Sequence, residues 1–484
     1  MLFNSLDFAI FLPIVFFLYW FGVGKSIRNQ NILIVVSSYV FYGWWDWRFL
    51  SLILFSTIVD YVIGLRLSTA EKPTTRKLLL WISVLVNLGL LGFFKYYNFF
   101  VDNFIAAFSF FGQDFKASTL RIVLPVGISF YTFQTLSYSI DVYRRKLEPT
   151  RNLIAFAAFV SFFPQLVAGP IERASNLLPQ FFKKRHFNYP LAVDGLRQIL
   201  WGLFKKVVIA DNAAVFVNLI FENPEAYSSS TLILGAVFFA FQIYGDFSGY
   251  SDIAIGTARL FGFNLMQNFA FPYFSRDIAE FWRRWHISLS TWFRDYLYIP
   301  LGGSRGSQSK AIRNIFIIFV VSGFWHGANW TFVVWGALNA AFFIPLFIFN
   351  QNRKNLIPIR TRFLMPSLRD LVSIIITFGL TLLTWIFFRA ESVEAAINYI
   401  SLIFDSSSLL KIPDIPNLSR VAVTVAFIGV LVFAEWVGRT RLHALERMHH
   451  LPKRWMRWTV YALIIAAIGL FMQTEETPFI YFQF

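Results

Sequence analysis

Apolar runs long enough to cross a bilayer fill this 484-residue chain and exclude most other plans. A hydrocarbon core about 30 Å thick calls for roughly 17 to 25 predominantly apolar residues per helical span. Such runs centre on residues 8–23, 31–45, 49–67, 78–100, 122–140, 199–221, 231–250, 312–328, 331–349, 371–388, 421–438 and 458–472. Lipid offers no hydrogen bonds, so each spanning segment must satisfy its own backbone, and the pattern predicts an all-α polytopic protein of about 11–12 transmembrane helices. The net charge of +16 does not point to nucleic acid, because hydrophobic runs separate the Lys and Arg clusters, as in a protein with basic cytoplasmic loops.

Placing the N-terminus outside puts 36 of the 43 Lys and Arg in alternate, inner loops, which sets the orientation. The parity holds only if the apolar stretch 152–170, which carries Pro164 and Pro170 and is basic on both flanks, is re-entrant from the cytoplasmic side. Met1 to Asp7 contains no Lys or Arg, so a cleaved signal peptide is not expected. Without a long linker or repeat, 1–484 reads as one integral membrane domain. The chain has no cysteine, which removes disulfides, thiolate metal sites and cysteine nucleophiles; histidine, hydroxyl and carboxylate chemistry remain.

Residues 271–303, FPYFSRDIAEFWRRWHISLSTWFRDYLYIPLGG, are too charged to span but separate on a helical period. Phe281, Trp282, Trp285, Leu289, Trp292, Phe293 and Tyr296 share one face; Glu280, Arg283, Arg284, Ser290, Arg294 and Asp295 share the other. This predicts an interfacial helix with His286 among its aromatics, either as a packed residue or as a chemical one. Arg276, Arg283, Arg284 and Arg305 are candidates to grip the phosphates of a cytoplasmic donor. Topology and anionic lipid also favour basic residues at such a flank.

The core pair 311–350 contains SGFWHGANW, which sets His326 inside an apolar run. At roughly 1.5 Å per residue from Arg313, it lies about 20 Å into the core, where an ionisable group marks a pathway or cavity by default. Ser322 and Asn329 fall within reach of the same helical face, and Gly323 and Gly327 permit close approach by a backbone or a substrate. One histidine without neighbouring Cys, Asp or Glu offers too few ligands for a metal, so no metal site is expected. A neutral imidazole in a dry pocket suits a general base or an acyl acceptor. Asp246, in YGDFSGYSDIAIG, needs a partner and reads either as a buried hydrogen-bonded group or as an orienting or tunnel-lining carboxylate. Asp252, Asp211 and Asn212 pose the same question.

The motifs FWRRWHISLSTWFRDYLYIPLGGSRG and SGFWHGANWTFVVWG, with LFNSLDFAIFLPIVFFLYW, SFFPQLVAGPIER and PFIYFQF, resemble the membrane-bound O-acyltransferase family, in its bacterial alginate and exopolysaccharide O-acetylation branch. The resemblance implies a ring of helices around a tunnel, with His326 at its constriction and His286 nearer the cytoplasmic mouth. It implies an acyl thioester donor such as acetyl-CoA, no bound cofactor, and transfer outward to a polysaccharide through an extracytoplasmic acetyltransferase partner. The bacterial cytoplasmic (inner) membrane would be its location. Trp325, Trp330 and Asn329 would then shape the pocket. Two alternatives stay open: D-alanyl transfer from a carrier protein to teichoic acid, and a glycan or lipid transporter.

Overall fold

The computed structural model describes residues 1–110, 120, 122–167, 169–359, 365–405, 411, 413, 415–473 and 479–480. Most of the PFIYFQF end lies outside them. Among the described residues there are helices and no strands, and they divide into two compact units: Met1–Ala192 with Thr257–Met266, and Val193–Gly256 with Gln267–Phe484.

The first unit holds α1 (Leu6–Phe17), α2 (Ile27–Asp46), α3 (Leu50–Thr69), α4 (Pro73–Leu91), α5 (Tyr97–Phe110), α6 (Ile128–Tyr143), α7 (Leu153–Ser161), α8 (Phe163–Leu166) and α9 (Ala174–Leu177). The sequence separates α2 from α3 as two spans, and the break falls at Asp46, whose carboxylate accepts from the Arg48 N–H at 3.0 Å. The stretch expected to be re-entrant is α7 and α8, mostly buried after the exposed Leu153 at its start. Nine residues in α7 make about 14 Å, too short to cross. Its broken backbone is satisfied by side chains: Ser38 Oγ accepts from the Phe163 N–H at 3.0 Å, and Gln134 Nε2 donates to the Phe159 carbonyl at 2.6 Å. Asp60 of α3, which sequence reading did not single out, is fully buried and accepts from Ser83 (2.5 Å), Asn87 (2.8 Å) and Ser139 (2.8 Å), pinning α3 to α4 and α6.

The second unit begins inside α10 (Tyr189–Leu203), which continues through a π-helical segment, Phe204–Ala210, into α11 (Asp211–Glu222). Next comes α12 (Ser229–Leu260), 32 residues long, whose last residues return to the first unit. The expected span at 231–250 is only its first part, because the helix runs on through Asp252. α10 and α12 cross at glycines: a Cβ on Gly202 would stand 2.6 Å from the Gly249 carbonyl. Small residues drive such close crossings in membranes, where burial of apolar surface against lipid contributes little. The remaining helices are α13 (Ile278–Arg284), α14 (Ile287–Phe293), α15 (Gln308–His326), α16 (Trp330–Ile348), α17 (Leu368–Arg389), α18 (Val393–Ile403), α19 (Leu418–Gly438) and α20 (Arg454–Phe471). By length and composition, seven continuous helical stretches among the described residues can cross a membrane. The runs at 8–23, 122–140, 199–221 and 312–328 fall outside those seven; they lie on helices that are shorter, π-interrupted or, for α15, polar at the start.

Candidate active site

The segment read as one interfacial helix is two. Asp277 caps α13, its carboxylate accepting from the Glu280 N–H at 2.6 Å. The helix ends at Arg284, and His286 takes a left-handed conformation, φ 43° and ψ 54°, before α14 starts. Residues 268–270 supply what the helix gives up: Asn268 O accepts from the Ile287 N–H at 2.9 Å, and the Ala270 N–H donates to Arg284 O at 3.0 Å. A non-glycine residue held there costs about 1–3 kcal/mol, and such residues concentrate at functional sites.

The polar face of that segment also departs from the expectation. Glu280 is buried and accepts from Arg276 Nε at 3.0 Å and Arg284 Nη2 at 2.6 Å, so these side chains form an ion triplet inside the protein. Arg283 donates to the carbonyls of Asn352 (2.8 Å) and Asn355 (2.9 Å). Three of the arginines expected to face donor phosphates thus have protein partners, and only Arg305 stands exposed.

A cavity of about 250 Å³ does open nearby. It is lined at its exposed end by Arg294, Ser304 and Arg353, and at its buried end by Ser322, one turn before His326 on α15. Sequence reading put Arg294 merely on a polar face and passed over Arg353. Only the tertiary packing brings them to one mouth.

α15 stops at His326, and Gly327 is extended at φ −160°, ψ 150°. Asn329 therefore does not share the histidine's helical face. It caps α16, accepting from the Thr331 N–H at 3.1 Å and donating to the Glu391 carbonyl at 2.9 Å. Trp330 is 55% exposed and is the first residue of α16. Gly323 and Gly327 do serve close approach, but of protein: a Cβ on Gly323 would collide with the Phe332 carbonyl, and one on Gly327 with the Phe332 ring.

The two histidines, forty residues apart in sequence, come together here. Their ring centroids are 6.3 Å apart and both are buried. Trp325 packs 4.9 Å from His326 and 6.0 Å from His286; Trp335 and Phe388 stand 5.1 and 5.5 Å from His326; Phe247 meets the His286 ring edge-on at 4.6 Å. The indole N–H groups of Trp335 and Trp385, both 1% exposed, have no hydrogen-bond acceptor among the described residues. Trp335, Trp385 and Phe388 escaped sequence reading because an aromatic in an apolar helix reads as packing. Burial pushes the His286 imidazole down to about 3, so it is neutral at physiological pH. Among the described residues no three potential metal ligands converge.

Asp246 adjoins Phe247, which packs on His286, but its own partners are others. It pairs with Lys206 at 3.0 Å and accepts from the Ile480 N–H at 2.6 Å, so a lysine and the chain end, rather than a histidine, engage its oxygens. Lys206 also pairs with Asp211 at 2.8 Å, and Lys205 with Asp252 at 2.6 Å.

A family model described as membrane-bound O-acyltransferase matches residues 146–385, which include both histidines and the cavity. A probable alginate O-acetylase of Pseudomonas putida is 38% identical over the full length of both chains. The chain belongs to the membrane-bound O-acyltransferase family. A second relative, a peptidoglycan O-acetyltransferase of Helicobacter pylori, is 33% identical over the whole of this chain and 98% of its own. A teichoic acid D-alanyltransferase of Streptococcus thermophilus is 29% identical over 44% of this chain and 54% of its own. As a membrane-bound O-acyltransferase with seven helical stretches able to cross a bilayer, the protein is a multi-pass membrane protein.

Proposed function

We propose that this protein takes an acetyl group from a cytoplasmic thioester donor, acetyl-CoA, and passes it across the bacterial inner membrane for O-acetylation of an extracytoplasmic polysaccharide through a partner acetyltransferase. The observation that carries the reading is His326, buried at the end of α15 within an aromatic wall, one turn beyond a cavity whose exposed end carries Arg294 and Arg353. In this reading the arginines bind the donor's phosphates and the cavity directs its thioester toward the histidine. A ring nitrogen of His326 takes the proton of the acceptor hydroxyl, whose oxygen forms the new C–O bond as the thioester C–S bond breaks; the proton then passes to the departing thiolate. The indole N–H groups of Trp335 and Trp385 are proposed donors to the oxyanion that develops on the acyl carbon's oxygen.

The relatives support acetyl over D-alanyl transfer: the two named as O-acetylating enzymes align over this whole chain, the D-alanyltransferase over less than half. The test is radiolabelled acetyl-CoA supplied to membrane vesicles from cells expressing the protein with its native polymer. Label should reach the polymer, and His326→Ala should abolish that transfer at unchanged protein level. Labelling by an alanyl carrier protein alone, or transfer by the His326→Ala protein equal to the parent, would overturn the proposal.

A further inference from the structure

His286 is fully buried, and its two ring nitrogens are treated differently. Nδ1 lies 3.1 Å from Asn268 Oδ1; Nε2 has no hydrogen-bond partner among the described residues. Which atom donates in the Nδ1 contact follows from the groups around it. The Ser288 backbone N–H, which can only donate, points at the same atom of Asn268 at 3.3 Å, and Ser288 Oγ bonds it at 2.9 Å. The other end of the amide donates to Ser251 Oγ at 3.1 Å. The atom facing the histidine is therefore the carbonyl oxygen, and an oxygen of that kind cannot donate. Nδ1 must carry the proton, which leaves the lone pair of neutral imidazole on Nε2.

We propose that Asn268 is a positioning residue for acyl transfer: it fixes His286 as the Nδ1–H tautomer and so presents Nε2, buried near His326, as the hydrogen-bond acceptor that first orients the incoming hydroxyl, before its O–H turns to His326 and is deprotonated there. The inference rests on the acyl-transfer reading above and adds a division of labour to it. The backbone supports the same role, since Asn268 O also accepts from Ile287 N–H, holding the left-handed turn that aims the ring. Asn268 is itself fully buried, so its amide is shielded from exchange with bulk water. Rings from three surrounding elements pack against the imidazole: Phe247 of α12, Phe269 beside Asn268, and Trp325 and His326 of α15. Of these only His326 is titratable, and burial alone accounts for the lowered pKa of His286.

The experiment is the pH profile of label transfer from acetyl-CoA in the same vesicles. In Asn268→Asp the carboxylate still accepts from Nδ1, but its negative charge favours the imidazolium. Because the neutral ring is the working form, the acid limb of the profile should move up by at least about one pH unit while the plateau stays near the parent's. Asn268→Ala should lose on the order of 10²-fold in kcat with little change in KM for acetyl-CoA. Should either fail to accumulate, Ser251→Ala removes only the far anchor of the amide and should lower kcat by about threefold or more. A merely structural role moves the amount of protein and leaves the acid limb where it was. An unshifted limb in Asn268→Asp, or parental kcat in Asn268→Ala or Ser251→Ala, overturns the inference. His326→Ala, run alongside, separates the two readings: if it is inactive and the Asn268 variants are parental, only the role of Asn268 falls; if it is active, the transfer reading falls first.

Discussion

Two regions of the second unit bury ionisable side chains in opposite ways. Along the π-helical segment and the middle of α12, buried lysines meet carboxylates: Lys205 with Asp252, Lys206 with Asp211 and Asp246. Around His286 and His326 the neighbours are rings, and His286 Nδ1 meets the Asn268 amide at 3.1 Å and the Ser288 hydroxyl at 3.5 Å. Taking a charge out of water is costly, so a paired lysine is held where it is by its partners and has little freedom to change protonation state. A neutral imidazole among aromatics avoids that cost and keeps a proton-accepting site. Depth in the membrane alone therefore does not mark chemistry; the identity of the neighbours does. Asp246 and Asp60 illustrate this, both deep and both fully engaged as packing nodes.

The comparison breaks most severely at Lys206. Lys206→Met should leave Asp211 and Asp246 facing each other without a cation, costing about 3–5 kcal/mol. The folded fraction in size-exclusion chromatography should collapse, whereas His326→Ala should elute like the parent; equal behaviour of the two variants would erase the distinction. A smaller effect is expected where the aromatic chamber meets the α15–α16 crossing. Gly323→Leu drives a side chain against the Phe332 carbonyl and should lower the melting temperature and cut acetyl transfer by about tenfold or more, by displacing His326 relative to Trp335. Unchanged transfer would show that the crossing does not set the chamber. The least drastic test concerns the cavity mouth: Arg294→Gln with Arg353→Gln should raise KM for acetyl-CoA by about tenfold and leave kcat near the parent, since these residues bind rather than react. A fall in kcat with KM unmoved would relocate the donor site.

Part of this site was legible in the sequence and part was not. His326 stood out because an ionisable residue inside an apolar run is expensive wherever the run folds. His286 stood out less, because an amphipathic period accounts for it equally well, and that period concealed the break at Trp285 and His286. Nothing local announces the break; it is made by residues 268–270 pairing with 284 and 287. Asn329 misled for a related reason: helical spacing from His326 assumes that the helix continues, yet Gly327 is extended and Asn329 caps the next helix. For Arg276 and Arg284, attraction to a donor's phosphates and attraction to Glu280 look alike in sequence.

By itself the sequence determined an all-α chain built to cross a bilayer, with a deep histidine and no thiol chemistry, because hydropathy, span length and residue type are additive along the chain. Tertiary structure decided which buried charges cancel, where helices end, and that two imidazoles forty residues apart share one chamber. Those outcomes depend on which atoms meet across distant segments, and a hydrogen bond or ion pair a few ångströms long is set by that meeting rather than by spacing along the chain.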